Sequence, residues 1–400
     1  MSTAPASEDP DDPPLLTRDF ALLLALQLAF GFAFSSFFLL PKYVVTELSG
    51  TASQVGYVGA LAVVTAIMTA PFAGKVLARG PRRPIILLGS ALTLLTSLAF
   101  LWVGALDGYL YAVRAVQGVA FTLFFVATST MAADLAPPAR LGQALGWLGS
   151  AALIMNAVAT LAAEHIAHAY GWTGVFLASA GAGLLATLLA TVLREPQSQG
   201  KSTPDRAPAN GEVAQALRGR LAVLWAAVAG GAAFGVMFTF TQPFALSLGD
   251  THVGPLFAGY TVTALLVRLV FGSLADRLGR ARVGAVALAF YSLVVAATGG
   301  LEPGWLWALG LALGLAHGAF YPSLNALALE GATHQERGTI TAYFIAAFNA
   351  GVLVVTFGLG QVAEAYGYPT LFLLVALLTA SGCPLLFGQM RRKSWLEPSP

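Results

Sequence analysis

The sequence is poor in charge and has a single cysteine. Only 10% of its 400 residues are Asp, Glu, Lys or Arg, whereas 57% are hydrophobic and the mean hydropathy is +0.74. A soluble globule of this length cannot bury so much apolar surface, so the chain is predicted to reside in a lipid bilayer. The lone Cys383 excludes an internal disulfide and a multi-cysteine metal site.

Three further absences narrow the function. The net charge of +2 comes without a cationic face, so we expect no nucleic-acid partner. A P-loop ATPase is excluded because Gly200-Lys201-Ser202 has Glu195 where the motif needs its first glycine. The sequence also shows no grouped nucleophile, base and metal ligands. We therefore expect no enzyme activity, no cofactor and no metal site.

Long hydrophobic runs make up most of the chain. Each is long enough to cross a hydrocarbon core of about 30 Å as a helix. They predict an all-α integral membrane protein with 12 transmembrane helices. The runs cover residues 19–46, 54–77, 84–105, 108–132, 140–168, 172–193, 220–247, 253–275, 282–300, 304–329, 338–364 and 368–389.

One polar segment divides the runs into two sets. Residues 194–219 are rich in Pro, Gln, Ser and charge, and we interpret them as a cytoplasmic linker. They separate a six-helix bundle at 19–193 from a second one at 220–389. The acidic, proline-containing residues 1–18 are predicted to form a disordered cytoplasmic tail, and residues 390–400 a second cytoplasmic tail.

The basic residues predict the orientation. All 21 Lys and Arg except Lys42, Arg114 and Arg268 lie in the tails, the linker or alternate loops, and the loops between these carry none. Because Lys and Arg are retained on the cytoplasmic side during insertion, both termini are predicted to be cytoplasmic. The three exceptions lie in or beside apolar runs, which is typical of functional positions.

The two halves of the sequence repeat each other. Residues recur at near-constant spacing: Val55, Gly56, Thr65, Gly118, Tyr170 and Gly171 correspond to Val253, Gly254, Thr263, Gly314, Tyr366 and Gly367. A duplication about an axis normal to the membrane places a cavity between the halves. Rocking of the halves can open that cavity to either side in turn.

The segment Gly272-Ser-Leu-Ala-Asp276-Arg277-Leu-Gly279-Arg280 resembles the loop signature G-x-L-A-D-R-x-G-R of the major facilitator superfamily. The resemblance covers residues 20–387. It implies that Asp276, with Arg277 and Arg280, reaches the start of the fifth helix near Arg140 and clamps the cytoplasmic side. A helix-capping Asp in an ordinary basic loop is the alternative.

The first-half copy of this motif has Ala78 where the acid belongs and Pro81 in place of the second glycine. Arg268 likewise aligns with an apolar residue, Ala70. The intramembrane Arg and the loop Asp are thus both present in one half and absent from the other. We therefore group Arg268 with Asp276 in one gating network.

A second motif, Arg114-Ala-Val-Gln117-Gly118, resembles the family's R-x-x-x-G pattern, whose Arg faces the central cavity. Helical spacing places Gln117 and Phe121 on the same side. An Arg that reaches back to the outer surface is the alternative. The substrate-binding candidates, from the helices that the resemblance assigns to the cavity, are Gln27, Phe34, Arg114, Gln117, Phe121, Phe238, Gln242, His317, Tyr321 and Asn325.

The tenth helix combines two signals. His317 lies near mid-span and is a side chain that titrates near neutral pH, although a packed interhelical histidine is the alternative. The glycines Gly310, Gly314 and Gly318 form a ridge that predicts close approach of another helix.

Together these features predict a secondary active transporter of the bacterial sugar- or drug-efflux-like branch, located in the cytoplasmic (inner) membrane. We expect export of a small organic solute by alternating access, coupled to an ion gradient. Uptake, uniport and a non-transporting receptor or scaffold are the alternatives.

None of the 19 carboxylates lies near the middle of a run, so Arg114, His317 or a substrate carboxylate would have to couple protons. The expected partners are the solute, protons and membrane lipid, and we expect a monomer.

The orientation can be tested by topology mapping. Green fluorescent protein inserted within residues 200–210 is expected to fluoresce, and alkaline phosphatase at the same place is expected to be inactive, because both report a cytoplasmic position. An active phosphatase there, or termini on opposite sides of the membrane, would contradict the arrangement of two duplicated bundles.

Overall fold

A computed structural model describes residues 15–77, 80–137, 140–195, 217, 219–271 and 278–388. Within these ranges the chain is almost entirely helical and contains no strand, which confirms the all-α prediction. Most of the two predicted tails and of the linker lies outside the described residues, as do Asp276 and Arg277.

The first half, residues 15–195, begins at the basic end of the first predicted crossing. Its helices are α1 (Arg18–Ser35), α2 (Leu40–Thr46), α3 (Ala52–Leu77), α4 (Arg82–Ala99), α5 (Gly108–Leu135) and α6 (Leu141–Val192). A 3-10 turn at Ser36–Leu39 joins α1 to α2 within one crossing. The Asp107 side chain accepts from the Tyr109 and Leu110 N–H groups and so caps the start of α5.

The second half, residues 219–388, repeats this order. Its helices are α7 (Leu221–Thr239), α8 (Thr241–Ser247), α9 (Gly254–Phe271), α10 (Arg280–Thr298), α11 (Leu306–Ala328), α12 (His334–Leu353), α13 (Gly360–Tyr366) and α14 (Tyr368–Ala380). A π-helical turn at Val354–Gly358 lies between α12 and α13. Thr333 and Glu336 form a capping box at the start of α12, and their hydrogen bonds hold the pKa of the Glu336 carboxyl below its usual value.

Two aligned glycines make the same turn in the two halves. Gly171 divides α6 into two arms and has φ 71°, whereas Gly367 separates α13 from α14 with φ 83°. Glycine adopts positive φ without the steric penalty of a Cβ. The repeated Tyr-Gly pair of the sequence therefore marks the turn between the last two crossings of each half.

The described residues contain nine segments that are long and apolar enough to cross a membrane. The longest, Leu141–Val192, holds two crossings because it turns at Gly171. Helices α9 and α11, which are not among the nine, are about 27 and 35 Å long at about 1.5 Å per residue. Counted in this way, the described residues provide twelve candidate crossings, the number expected from the sequence.

Close glycine contacts occur at equivalent places in the two halves. A Cβ on Gly118 of α5 would lie 2.1 Å from Thr65 Oγ1 of α3. A Cβ on Gly314 of α11 would lie 2.9 Å from Thr263 Oγ1 of α9 and 2.3 Å from a backbone oxygen of the same helix. Gly310 is equally close to α9, so the predicted glycine ridge is confirmed.

The helix ends define two faces of the molecule. We call the face with Arg82 and Arg280 the basic face, and the opposite face, with Glu47, Asp107 and Asp250, the acidic face. The two halves contact each other through α6 against α9 and through α3 against the π turn and α13. The first contact begins at the acidic face, where Glu164 meets Val253 and Gly254, and continues along α9 to Arg268 beside Gly149. The second lies at the acidic face, where Glu364 meets Ser53, so the halves meet there on both sides.

The glycine contacts predict a sharp dependence of stability on one methyl group. Gly314→Ala is expected to destabilise the protein by about 1–3 kcal/mol, because the α9 backbone leaves no room for a Cβ. Gly118→Ala should have a similar effect in the other half. Thermal melting in detergent, followed by tryptophan fluorescence, measures both.

Gly181→Ala is the matched control for this prediction. Gly181 is also helical, but a Cβ there would meet no atom within 4 Å. Its melting temperature should stay the same or rise, since alanine favours helix. Equal destabilisation at Gly314 and Gly181 would contradict the packing argument.

Candidate functional site

A cavity of about 170 Å³ lies between the two halves, beneath the closed acidic face. Both halves contribute to its wall. The lining residues include Phe37, Phe38, Val58, Gly59 and Arg114 of the first half, and Phe234, Phe238, Thr239, Val352 and Thr356 of the second. Among the described residues that line it, Arg114 is the only charged one. The cavity wall is therefore mostly apolar and carries one cation.

Arg114 is buried on α5, with 9% of its surface exposed. Its Nε donates to the Val58 carbonyl at 3.2 Å, and its Nη1 donates to Gln117 Oε1 at 2.5 Å. This burial contradicts the alternative of an Arg that reaches the outer surface. A guanidinium carries more N–H donors than these two bonds use, so Arg114 can still donate to an oxygen of a ligand.

A continuous row of aromatic rings connects the two halves beside this cation. Phe34 stacks on Phe121 with ring centroids 4.5 Å apart and contacts Phe38 at 6.0 Å. Phe38 meets Phe238 of the second half edge-on at 6.3 Å, and Phe238 stacks on Phe234 at 4.3 Å. Phe34, Phe121 and Phe238 were predicted from the sequence, but Phe38, which joins them, was missed. Its position one helical turn after Phe34 was the available signal.

The second half places His317 within a group of aromatic side chains. Its ring lies 5.0 Å from Phe234 and 5.7 Å from Tyr321. Three further rings surround it at 5.9–6.0 Å, and all three were missed from the sequence: Tyr260, Tyr291 and Phe348. His317 Nδ1 has no hydrogen-bond partner among the described residues, and neither does Asn325 Oδ1. A ligand that donates or accepts hydrogen bonds could use both atoms.

The two candidate glutamines occupy different positions. Gln242 donates from Nε2 to the Phe38 carbonyl at 2.7 Å and to the Phe238 carbonyl at 3.2 Å, so its amide ties the first half to the second. Gln27 is buried on α1, and its Oε1 has no partner within the described part of the chain. Gln242 thus ties the halves together through Nε2, and its Oε1, like that of Gln27, has no partner among the described residues.

The gating candidates are only partly described. Asp276 and Arg277 lie outside the described residues, Arg280 begins α10, and Arg140 immediately precedes α6. Arg268 on α9 is exposed and lies at the contact between the halves. Its Nη1 is 3.5 Å from the position that a Cβ on Gly149 of α6 would occupy.

The described residues contain no group of three or more His, Cys, Asp or Glu side chains that could hold a metal ion.

The model of the Major Facilitator Superfamily matches residues 21–297 and 237–399, which together span nearly the whole chain. This protein belongs to the Major Facilitator Superfamily. The resemblance inferred from the loop signature and from the R-x-x-x-G motif is thereby confirmed.

Two relatives are multidrug resistance proteins. The protein MdtG of Serratia proteamaculans (strain 568) is 27% identical over 359 residues, which cover 85% of each chain. MdtG of Enterobacter lignolyticus (strain SCF1) is 25% identical over 352 residues, which cover 85% of this chain and 84% of the relative.

Solved transporter structures share the fold at low sequence identity. The nucleoside transporter NupG superposes with a TM-score of 0.79 at 14% identity and covers 94% of this chain and 99% of its own. A POT family transporter in complex with a thioalcohol conjugated peptide gives a TM-score of 0.80 at 11% identity, with 94% and 96% coverage.

Arg114 provides a direct test of the cavity. Arg114→Ala is expected to lower transport by about tenfold or more, because a lost hydrogen bond to a charged group costs about 1.5–3 kcal/mol. Arg114→Lys should keep part of the activity, since it preserves the charge but not the planar fork. Solute flux in membrane vesicles, at equal protein level, measures the effect.

Val116→Ala is the control, because Val116 lies on the same helix but is 38% exposed. Its flux should match that of the unmodified protein. If Val116→Ala loses as much flux as Arg114→Ala, the result would contradict a ligand contact by Arg114.

Proposed function

We propose that this protein exports a small organic solute across the cytoplasmic membrane of a bacterium by alternating access, with an ion gradient as the energy source. The observation that carries this proposal is the cavity shared by the two halves. Because Arg114 on one side and Phe234 and Phe238 on the other contact the same space, a bound solute would touch both moving units.

The cavity lining supports a neutral or anionic amphipathic solute. Its wall combines phenylalanine rings with Arg114, and the lining residues that the structure describes include no carboxylate to neutralise a cationic solute. A carboxylate or phosphonate of the solute could take a bidentate bond from the guanidinium while an apolar group stacks on the rings. We therefore place permanently cationic compounds outside its range.

The direction of transport rests on two observations. The relatives named above are multidrug resistance proteins, a role that export fulfils. The basic face carries the Lys and Arg of the loops, which supports a cytoplasmic position for it and for both termini. On this orientation the described conformation is closed to the outside and corresponds to the stage at which solute would enter from the cytoplasm.

The positions of the ionisable residues bear on the energy source. The described carboxylates lie at helix ends and not beside Arg114 or His317, so protonation of a mid-membrane acid does not drive the cycle in this proposal. Arg114, His317 and an acidic group on the solute are the groups that could exchange a proton at the cavity. Uptake or uniport by the same architecture is the second candidate.

An accumulation assay tests this function. Bacteria that lack their main drug exporters and express this protein are expected to retain less of at least one aromatic anion than cells expressing Arg114→Ala. A protonophore should abolish the difference, and a permanently cationic dye of similar size should be retained equally. Greater retention would indicate uptake, and a difference that survives the protonophore would contradict proton coupling. If membrane vesicles that contain the protein move none of the aromatic anions tested, a non-transporting receptor would be favoured.

A further inference from the structure

Glu164 on α6 joins the first half to the second at the acidic face. The side chain is buried, and its carboxylate accepts from the backbone N–H groups of Val253, at 2.8 Å, and of Gly254, at 2.7 Å, where α9 begins. Lys42 donates to the same carboxylate at 2.6 Å and also to the Thr251 carbonyl. A first-half carboxylate thus caps a second-half helix.

Glu364 on α13 makes the reciprocal contact. Its Oε1 accepts from the Ser53 backbone N–H at 2.8 Å, where α3 of the first half begins. Beside it, Gln361 Nε2 donates to the Tyr57 hydroxyl of α3 at 3.0 Å. A second-half carboxylate therefore caps a first-half helix, which is the arrangement at Glu164 with the halves exchanged.

The sequence repeat does not account for this pair. The alignment of the Tyr-Gly turns pairs Glu164 with Gly360, and Glu364 lies one helical turn further along. Packing explains the offset, because a Cβ on Gly360 would lie 2.7 Å from Cα of Ser53. No side chain fits at the aligned position. The carboxylate reaches the start of α3 from the next turn instead.

We propose that Glu164 and Glu364 are the paired gate residues of the acidic face. Each closes one side of the cavity by capping the second crossing of the opposite half, and both must release for the cavity to open to that face. This inference deepens the proposed function and rests on its alternating access, but it concerns residues that the candidate list did not contain.

The physics of helix ends suits such a gate. The first N–H groups of a helix lack intrahelical partners and carry partial positive charge, so a carboxylate satisfies and stabilises them. When the halves part, water can bind the N–H groups in place of the carboxylate. Water can likewise bind the carboxylate in place of the N–H groups. Such an exchange is reversible in every transport cycle, whereas buried apolar packing would have to be re-formed over a large area.

The two contacts are not equally strong. Glu164 is buried and binds two backbone N–H groups and Lys42, whereas Glu364 is exposed and binds the Ser53 backbone N–H and the Thr51 side chain. Neutralising Glu164 should therefore weaken closure more than neutralising Glu364. Because Lys42 also bonds the Thr251 carbonyl, it strengthens the contact on the Glu164 side.

The test measures the separation of the halves by double electron-electron resonance. In a Cys383→Ala background, spin labels attached through Trp102→Cys and Trp305→Cys report the acidic face, since both tryptophans are exposed and belong to opposite halves. Labels attached through Val192→Cys and Arg282→Cys report the basic face. Glu164→Gln combined with Glu364→Gln is expected to raise the ratio of open to closed acidic faces by about tenfold or more, because charge-assisted hydrogen bonds are lost.

The reciprocal readout separates gating from misfolding. Release of the gate should lengthen the acidic-face distance and shorten the basic-face distance, whereas a protein that fails to fold would broaden both. Each single variant provides the same test if the double variant does not fold, and Glu164→Gln should shift the distribution more than Glu364→Gln.

Glu47→Gln is the matched control. Glu47 is also on the acidic face, but it accepts from Trp172 Nε1 within its own half at 3.1 Å. Its distance distributions should equal those of the unmodified protein. Unchanged distributions in the double variant, or an equal shift in Glu47→Gln, would overturn the proposal. The distance measurement needs no solute. A protein that transports nothing would contradict the proposed function, but the distances would still test the gate.

Discussion

Contact between helix backbones is the constraint on which this structure depends. Lipid tails are as apolar as leucine side chains, so burial of apolar surface gives transmembrane helices little reason to associate, and close packing must hold them together. Gly118 and Gly314 provide that packing within the two halves, where a Cβ would collide with the neighbouring helix. Gly231 and Gly351 do the same between α7 and α12, where a Cβ on either glycine would lie 1.9 Å from a backbone oxygen of the other helix. The cavity exists because these contacts fix the bundles that surround it.

Two ionisable side chains inside the bundles, Arg114 and His317, have specific neighbours. Arg114 is bonded to Val58 and Gln117 inside an otherwise apolar wall, and His317 is enclosed by aromatic rings. The carboxylates that cross between the halves occur instead near the acidic face, at helix ends. The carboxylate contacts at the acidic face therefore lie apart from Arg114 and His317, whereas the Gln242 contact between the halves lies beside the aromatic row.

Much of the fold follows from the sequence, because crossing length, loop charge and internal repetition are local properties of the chain. Most helix bounds agree with the hydrophobic runs to within a few residues, and the repeated Tyr-Gly pairs mark equivalent turns. Contacts between helices were not predictable in the same way. Tyr260 and Tyr291 were missed because helical periodicity tells which residues share a side of one helix but not which helix faces them. The contacts of Glu164 and Glu364 were also missed, because their partners in the opposite half are backbone N–H groups, which leave no trace in residue identity.

The row of rings that passes from Phe34 through Phe38 to Phe238 has a mechanical consequence. Stacked and edge-on rings attract each other over a broad range of angles, so two such surfaces can slide past each other without breaking a directional bond. The Gln242 amide that holds the Phe38 carbonyl has no such tolerance. A planar molecule that entered between Phe38 and Phe238 would separate the two rings and break the hydrogen bond between Gln242 and the Phe38 carbonyl. Its own contacts with the rings would replace the contact that the rings lose. Binding itself would then weaken the contact between the halves. Molecules of many shapes could have this effect, provided that each has one flat, apolar side.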